Sequence, residues 1–289
     1  MIFSNLLRIP SWIKNGFVIA PLIYSMEMFS STSIQLNLIA FVVFCFASSS
    51  MYILNDILDR KEDRLHPRKK NRAIAAGKIS IPSAAIVLTV LVILSFSLAT
   101  LLSKSFIILL SIFIANNLLY SNFFKHIPLL DAFSIASSFV IRTIGGCIAI
   151  HVTPSSWIII ITFTLSLFLV FIKRKSEIVM LGDKAVEHRK ALKGYSIELL
   201  NYFILICASI AITSYIIYSV NEQVNDLLNT SYLPYSSFFV LLGILRFLQL
   251  SFSKELQGEG DPTTLVLKDR FSQINILSYI IFIISIIYF

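Results

Sequence analysis

The chain has 289 residues, of which 56% are hydrophobic and 14% charged, and its formal net charge at pH 7 is +8. Because soluble domains carry about 25% charged residues, this composition excludes a soluble enzyme, a disordered chain and a small disulfide-stabilised scaffold. The three cysteines, Cys45, Cys147 and Cys207, lie inside apolar runs without metal-ligand spacing. We interpret them as small buried apolar residues.

Nine apolar segments are long enough for membrane helices, since a bilayer-spanning helix needs about 20 apolar residues. In chain order they are 11–29, 34–54, 81–101, 104–121, 128–150, 155–172, 198–220, 233–252 and 271–289. Several begin at a proline, which suits the first turn of a helix, and no period-2 alternation indicates strands. We therefore predict an all-α, polytopic integral membrane protein with nine transmembrane helices, forming a single catalytic domain over residues 1–289.

The basic residues are segregated to one side of this predicted topology. Of the 24 lysines and arginines, 21 fall on the N-terminal flank or on the even-numbered connections, whereas Lys104 alone falls on the opposite side. By the positive-inside rule, we expect a multi-pass protein of the cell (inner) membrane with a cytoplasmic N-terminus. The heavily basic loops, about 55–80 and 173–197, are then cytoplasmic, and their separation by four helices suggests two similar halves.

The strongest chemical signal is an aspartate-rich motif after the second segment. Asp56, Asp59 and Asp63 are spaced to lie along one helical face, with Asn55 four residues before Asp59. Carboxylates in such a row repel one another unless a cation lies between them, and Mg²⁺ combines a few carboxylates with water and phosphate oxygens. We predict the three aspartates as Mg²⁺ ligands and, with Asn55, as the catalytic group. The alternative is a solvated charged helix end.

Two basic segments accompany this motif. The first, 66–77, follows the aspartates directly, and the second, Lys173-Arg174-Lys175-Ser176-Glu177, ends the sixth predicted helix. Alone, such segments are usually anchors for anionic lipid headgroups. Beside a magnesium-binding face they also suit the binding of phosphate groups.

Two charged residues, Asp131 and Arg142, fall inside the fifth predicted helix, eleven residues apart and nearly on one face. Charges in hydrocarbon are costly and usually face a polar cavity. A functional role and a structural intramembrane ion pair both remain open for these residues.

The motif Asn55-Asp56-x-x-Asp59-x-x-x-Asp63 resembles the first aspartate-rich motif of the UbiA superfamily of intramembrane prenyltransferases. The chain is most similar to the branch that transfers phosphoribosyl groups, and this similarity is spread over many short segments. These are Trp12–Asn15, Ala20-Pro21, His66–Gly77, Tyr120-Ser121, Lys125–Asp131, Arg142 with Gly145-Gly146, Lys173–Glu177, Tyr195-Ser196 and Asp261–Thr263. The resemblance implies helices arranged around a central cavity.

The resemblance further implies Mg²⁺-dependent transfer of 5-phosphoribosyl from phosphoribosyl pyrophosphate to a polyprenyl phosphate of the decaprenyl phosphate type, with release of diphosphate. Superfamily members that use prenyl diphosphates usually carry a second motif, DxxxD, after helix 6. Here that place is basic, which suits direct phosphate binding instead. The candidate substrate-binding residues are Lys14, Arg68, Arg72, Arg142, Lys173, Arg174 and Glu177.

Two other functions stay open at this point. One is a UbiA-type prenyltransferase that joins a prenyl diphosphate to an aromatic or other acceptor, and the other is a transporter. A transporter would place ionisable residues near the bilayer midplane, whereas most of them here lie at the cytoplasmic edge. Nucleic-acid binding is not expected, because the basic loops follow membrane sidedness. The lipid bilayer is the expected surrounding, and a homo-oligomer is possible.

Overall fold

The fold is taken from a computed structural model, which describes residues 2–65, 69–182, 185, 189–253, 265, 266 and 268–289. Within these residues the chain forms α-helices and short 3₁₀ segments and no strand. The α-helices are α1 (Ile2–Leu7), α2 (Ala20–Tyr24), α3 (Ser31–Leu58), α4 (Arg60–Leu65), α5 (Ile81–Ala99), α6 (Lys104–Asn122), α7 (Leu130–Ala149), α8 (Ser156–Leu181), α9 (Ile197–Val220), α10 (Glu222–Leu227), α11 (Ser237–Phe252) and α12 (Arg270–Tyr288). The 3₁₀ segments are Ile9–Val18, Lys69–Asn71, Phe124–His126, Lys190–Gly194 and Leu233–Ser236.

Eight helical segments of the described chain are long and apolar enough to cross a bilayer. They are Ser31–Leu58, Ile81–Ala99, Lys104–Asn122, Leu130–Ala149, Ser156–Leu181, Ile197–Val220, Leu233–Phe252 and Arg270–Tyr288. They correspond to the second through ninth predicted segments. The prediction of an all-α, multi-pass membrane protein is therefore confirmed.

The first predicted helix, 11–29, differs from the structure. In its place are the ten-residue 3₁₀ helix Ile9–Val18 and the five-residue α2. Pro10 and Pro21 each lie at the start of one of these pieces. A proline has no backbone N–H to bond to the preceding turn, so these two positions favour two short pieces over one continuous α-helix.

The 3₁₀ helix Ile9–Val18 nonetheless runs alongside α3, in the opposite direction. Near its start, the indole Nε1 of Trp12 donates to Ser49 Oγ at 3.0 Å. At its end, the carbonyl oxygen of Val18 accepts from Asn37 Nδ2 at 3.0 Å. A Cβ on Gly146 would lie 2.0 Å from that same carbonyl oxygen, so glycine is what allows α7 to approach the segment.

The chain divides into two compact units. The first consists of Met1–Leu22, Glu27–Ile127 and Ser137–Pro154, and the second of Ile23–Met26, Pro128–Ala136 and Ser155–Phe289. In the core of the first unit, the ring of Phe44 makes edge-on contacts with the rings of Phe106 and Phe113. The core of the second unit lies between α8, α9 and α11 and includes Phe168, Phe171, Leu200, Ile204 and Phe247. In the part of the chain that the structure describes, charged side chains also cluster at a helix end in each unit.

Candidate functional site

The predicted aspartates lie in the first unit, at the junction of α3 and α4. Asp59 separates the two helices and caps the C-terminus of α3. The backbone N–H of Asp59 donates to the carbonyl of Asn55, and that of Asp63 donates to the carbonyl of Asp59. Both N–O distances are 2.8 Å. Because these bonds span four residues, as in an α-helix, the helical period continues through the junction.

One arginine joins two of the aspartates. Nη1 of Arg72 lies 3.0 Å from Asp56 Oδ1 and 2.6 Å from Asp63 Oδ2. Arg8 forms a second ion pair with Asp56, and its guanidinium lies 4.9 Å from the centroid of the Tyr52 ring. The side chains of Asp56 and Asp63 are almost fully buried, at 4% and 3% exposed, so the carboxylate side of each ion pair is shielded from solvent.

The third aspartate, Asp59, has different partners and is more exposed. Its Oδ2 accepts a hydrogen bond of 2.9 Å from Asn55 Nδ2, and its Oδ1 pairs with Lys125. Asn55 Oδ1 in turn accepts from Ser121 Oγ at 3.4 Å. Asn55 thus orients one carboxylate of the motif and is itself tied to α6.

Among the described residues, the ion-paired bases of this aspartate cluster equal its carboxylates in number, and Lys69 adds positive charge near Asp63. Three carboxylates, Asp56, Asp59 and Asp63, face three bases, Arg8, Arg72 and Lys125. Burial raises the pKa of the Asp63 carboxyl above its usual value, and the neighbouring Arg72 opposes that rise. The cluster is therefore built to hold positive charge among its carboxylates.

The donor set fits a hard divalent ion. In the part of the chain that the structure describes, no three His, Cys, Asp or Glu side chains are grouped as a metal-binding set. However, Asp56 and Asp63 already share one cationic nitrogen, that of Arg72. Mg²⁺ needs only one or two carboxylates when phosphates and water complete its shell, so this pair suits it.

A second polar group in the first unit surrounds Arg142. Its guanidinium donates to Asn15 Oδ1 at 2.7 Å, Ser48 Oγ at 3.0 Å and the carbonyl of Ser138 at 2.8 Å, and it lies 4.7 Å from the ring centroid of Phe113. All three acceptors are uncharged, although the residue is only 5% exposed. A buried charge is costly unless it is compensated, so this cradle suits an anion.

The second unit holds a charged network centred on Arg174, at the end of α8. Arg174 Nε donates to Asp131 Oδ2 at 2.7 Å, and its Nη1 donates to Glu177 Oε2 at 2.9 Å. Arg189 lies 3.7 Å from Asp131 and 3.6 Å from Glu177. The hydroxyl of Tyr195 donates to Asp131 Oδ1 at 2.8 Å. Among the described residues, two arginines thus pair with two carboxylates in this Arg174 network.

The same network fixes the start of α7. The Tyr195 hydroxyl accepts a 2.7 Å hydrogen bond from the backbone N–H of Leu129, which has a left-handed backbone with φ +67°. A Cβ on Gly194 would lie 2.4 Å from Pro128 Cγ, so only glycine fits there. Burial and the charge of Asp131 raise the pKa of Tyr195, which keeps its hydroxyl protonated as a donor.

The structure brings together several predicted site residues. In the first unit it groups Asn55 and the three aspartates with Arg72, and in the second it pairs Arg174 with Glu177. Lys14 and Lys173 are partly buried, on the 3₁₀ helix Ile9–Val18 and on α8. Arg68 lies outside the described residues, as do His66, Pro67 and the segment 261–263.

Two bases of the aspartate cluster were not among the predicted site residues. Arg8 and Lys125 lie 48 and 66 positions from the aspartates they contact. Lys125 belongs to a segment that carries the family resemblance, whereas Arg8 had no signal beyond its place in the N-terminal flank. A buried ion pair does form at Asp131, but with Arg174, while Arg142 bonds to uncharged groups.

Fold and site together define a class: a multi-pass α-helical membrane protein with clusters of acids and bases at its helix ends. The model of the UbiA prenyltransferase family matches residues 17–258, and the chain belongs to this family. It is accordingly a membrane-embedded transferase.

Named relatives match over nearly the whole chain. Decaprenyl-phosphate phosphoribosyltransferase of Mycolicibacterium smegmatis is 30% identical over 286 residues, covering 96% of this chain and 90% of that protein. The protein of the same name from Corynebacterium glutamicum is 28% identical, covering 98% of this chain and 85% of the relative. A UbiA homolog from Archaeoglobus fulgidus, solved bound to DMAPP and Mg²⁺, has a TM-score of 0.72 at 16% identity, covering 99% of this chain and 100% of that one. That likeness shows the fold.

Proposed function

We propose that this protein transfers the 5-phosphoribosyl group of phosphoribosyl pyrophosphate to a polyprenyl phosphate and releases diphosphate in a Mg²⁺-dependent reaction. The observation that carries this proposal is the basic segment at the end of α8. There, where prenyl-diphosphate users usually have a second acidic motif, this chain has Lys173-Arg174-Lys175-Ser176-Glu177, with Arg174 buried against Asp131. The relatives named decaprenyl-phosphate phosphoribosyltransferase support it independently.

The proposed reaction is a glycosyl transfer at C1 of the ribose. The bond between C1 and the diphosphate oxygen breaks, and its electron pair leaves with the diphosphate. An oxygen of the lipid phosphate forms the new bond to C1, through a transition state with oxocarbenium character. Since the lipid phosphate is already anionic, no general base is required. Catalysis then consists of positioning and electrostatic stabilisation.

We assign Asp56, Asp59 and Asp63 to Mg²⁺, together with oxygens of the diphosphate. When bound, Mg²⁺ would supply charge neutralisation of the departing diphosphate. The pairing of Asp56 and Asp63 through one cationic nitrogen supports this assignment. Asn55, which donates to Asp59, keeps that carboxylate oriented.

We assign phosphate binding to the basic residues. Arg68, Arg72, Lys173 and Arg174 are proposed for the donor phosphates, and Lys14 and Arg142 for either the donor or the acceptor phosphate. The uncharged surroundings of Arg142 support its assignment. Glu177 is proposed to orient a base or a ribose hydroxyl, and its bond from Arg174 favours the former.

We further propose that the chain is a single catalytic domain in the inner membrane, with its N-terminus and both basic loops in the cytoplasm. The ion pair between Arg8 and Asp56 supports this orientation, because it places the N-terminal flank at the same end of α3 as the loop 55–80. The segregation of 21 basic residues to one side supports it as well.

A comparison of two donors tests the proposal. Purified protein in detergent receives decaprenyl phosphate with phosphoribosyl pyrophosphate, or 4-hydroxybenzoate with a prenyl diphosphate, each with Mg²⁺ or with EDTA. We expect product only from the first pair and only with Mg²⁺. A prenylated aromatic product would instead support the alternative prenyltransferase activity.

A further inference from the structure

We propose that Arg8, Arg72 and Lys125 are built-in counter-ions that compete with the metal for the aspartates, so that the metal binds weakly alone and tightly together with a diphosphate. The inference rests on the proposed function only in requiring a donor that carries a diphosphate. It concerns how the site is loaded rather than which group is transferred.

The competition follows from the contacts. Asp56 Oδ1 is shared by Arg8 and Arg72, Asp63 Oδ2 is bonded to Arg72, and Asp59 Oδ1 is paired with Lys125. Each aspartate therefore offers a metal an oxygen that already has a basic partner. A metal ion that takes these oxygens must displace the bases or bind beside them.

The charge of the aspartate cluster explains why the metal would bind weakly without a diphosphate. Among the described residues, three ion-paired bases already match the three carboxylates and Lys69 adds positive charge near Asp63, so a divalent ion alone would leave the aspartate cluster with excess positive charge. Excess charge is costly where side chains are desolvated, and those of Asp56 and Asp63 are 4% and 3% exposed. A diphosphate removes that cost, because it binds the metal and gives the displaced bases new anionic partners.

The second unit offers a matched control, an ion-paired base that belongs to neither the aspartate cluster nor the Arg174 network. Arg246 makes two hydrogen bonds to Asp269, of 3.1 Å and 2.8 Å, at the start of α12. No role at the aspartate cluster is proposed for this pair. Arg246→Gln therefore removes the same type of contact without touching the proposed metal ligands.

The experiment measures Mn²⁺ binding by EPR of the full-length protein in detergent, with and without inorganic pyrophosphate. Arg8→Gln and Lys125→Gln are compared with Arg246→Gln and wild type, and thermal unfolding verifies that each variant is folded. For Arg8→Gln and Lys125→Gln we expect about tenfold tighter binding of Mn²⁺ alone, because one competing charge is gone. With saturating Mn²⁺, the affinity of the same two variants for pyrophosphate should fall, whereas Arg246→Gln should change neither quantity.

Tighter binding of Mn²⁺ alone together with weaker binding of pyrophosphate would show that the metal and the bases exchange places at the aspartates. Unchanged or weaker binding of Mn²⁺ alone in both variants would overturn the proposal, and so would unchanged pyrophosphate affinity. If one variant does not fold, the other decides the outcome. Because pyrophosphate is common to both donor types, the exchange can hold in a protein that fails to transfer phosphoribosyl, and that result would contradict only the proposed function.

Discussion

Arg174 Nε donates a hydrogen bond of 2.7 Å to Asp131 Oδ2, from a residue 43 positions further along the chain. Both side chains are almost completely buried, at 1% and 0% exposed. This bond ties the end of α8 to the start of α7. A basic residue in the place of a second acidic motif therefore has a structural role here, whatever it contributes to phosphate binding.

Asp131→Asn should destabilise the protein strongly. It keeps the shape of the side chain but leaves Arg174 without its buried carboxylate partner, and breaking such a pair costs about 3–5 kcal/mol. The free energy of unfolding, measured by denaturant titration in mixed micelles, checks this. Glu198→Gln is the control, since Glu198 is exposed and accepts only a 3.3 Å bond from Tyr202. If Asp131→Asn lowers the free energy of unfolding no more than Glu198→Gln does, the Arg174–Asp131 pair is dispensable for stability.

Asp56→Asn should abolish transfer while leaving the protein folded in the membrane, because its partners Arg8 and Arg72, at 21% and 25% exposed, can be hydrated when the carboxylate is lost, unlike the buried Arg174. The variant removes the carboxylate charge that we assign to the metal, and loss of such electrostatic stabilisation costs about 100-fold or more in rate. Initial rates of lipid-linked product formation check this, with membrane extraction and thermal unfolding as controls for folding. An activity within threefold of wild type would contradict the metal role.

Asn15→Asp should raise the KM for the polyprenyl phosphate if Arg142 binds its phosphate. The new carboxylate would pair with Arg142, whose Nε already donates to this side chain, and would compete with the lipid phosphate. Hydrogen bonds to charged groups contribute about 1.5–3 kcal/mol, so an increase of about tenfold or more is expected. The variant should also unfold at a higher temperature than wild type.

Asn37→Asp is the matched control for that substitution. Asn37 is also buried, but it donates to the carbonyl of Val18. A carboxylate at position 37 would face the carbonyl oxygen of Val18 without a proton to share, which should lower the unfolding temperature. An Asn15→Asp variant with unchanged kinetics would assign Arg142 a structural role only.

The stability gained from Asp269 should disappear in acid. The pKa of this carboxyl lies well below its usual value because Arg246 donates hydrogen bonds to it. Because the pKa of Asp269 is lower in the folded than in the unfolded state, its ionised form stabilises the folded state. That stabilisation is complete above the unfolded-state pKa, about 3.9, and is lost as the pH falls below it. Asp269→Asn keeps a good N-cap for α12 but removes the charge. The difference in unfolding temperature between wild type and variant should therefore narrow below about pH 4, and a constant difference from pH 7 to 3 would be inconsistent with this origin.

The long apolar helices were predictable because hydrocarbon requires continuous runs of apolar residues with internally satisfied backbones. The helices α3, α5–α9, α11 and α12 follow these runs. The N-terminal segment 11–29 is also mostly apolar, but it forms a 3₁₀ helix and a short α-helix. Pro10 and Pro21 interrupt it, and the side chains of Trp12 and Asn15 bond to α3. Hydropathy does not register such local and tertiary contacts.

The site was predictable only in part, for a similar reason. The spacing of Asp56, Asp59 and Asp63 is a local property, and the structure keeps them on about two turns of a continued helical path. Their bases come from distant positions, as with Arg8 and Lys125. Sequence spacing carries no information about contacts across 48 or 66 positions, so those partners required the structure.

Transfer of phosphoribosyl from phosphoribosyl pyrophosphate can be tested by following the 5-phosphate and the diphosphate of the donor separately. Phosphoribosyl pyrophosphate labelled with ³²P either at the 5-phosphate or in the diphosphate is incubated with decaprenyl phosphate, Mg²⁺ and purified protein, and the lipid is extracted. We expect the 5-phosphate label to enter the lipid fraction while the diphosphate label stays in water, and Asp56→Asn to transfer neither. No 5-phosphate label in the lipid fraction, or diphosphate label found there, would contradict it.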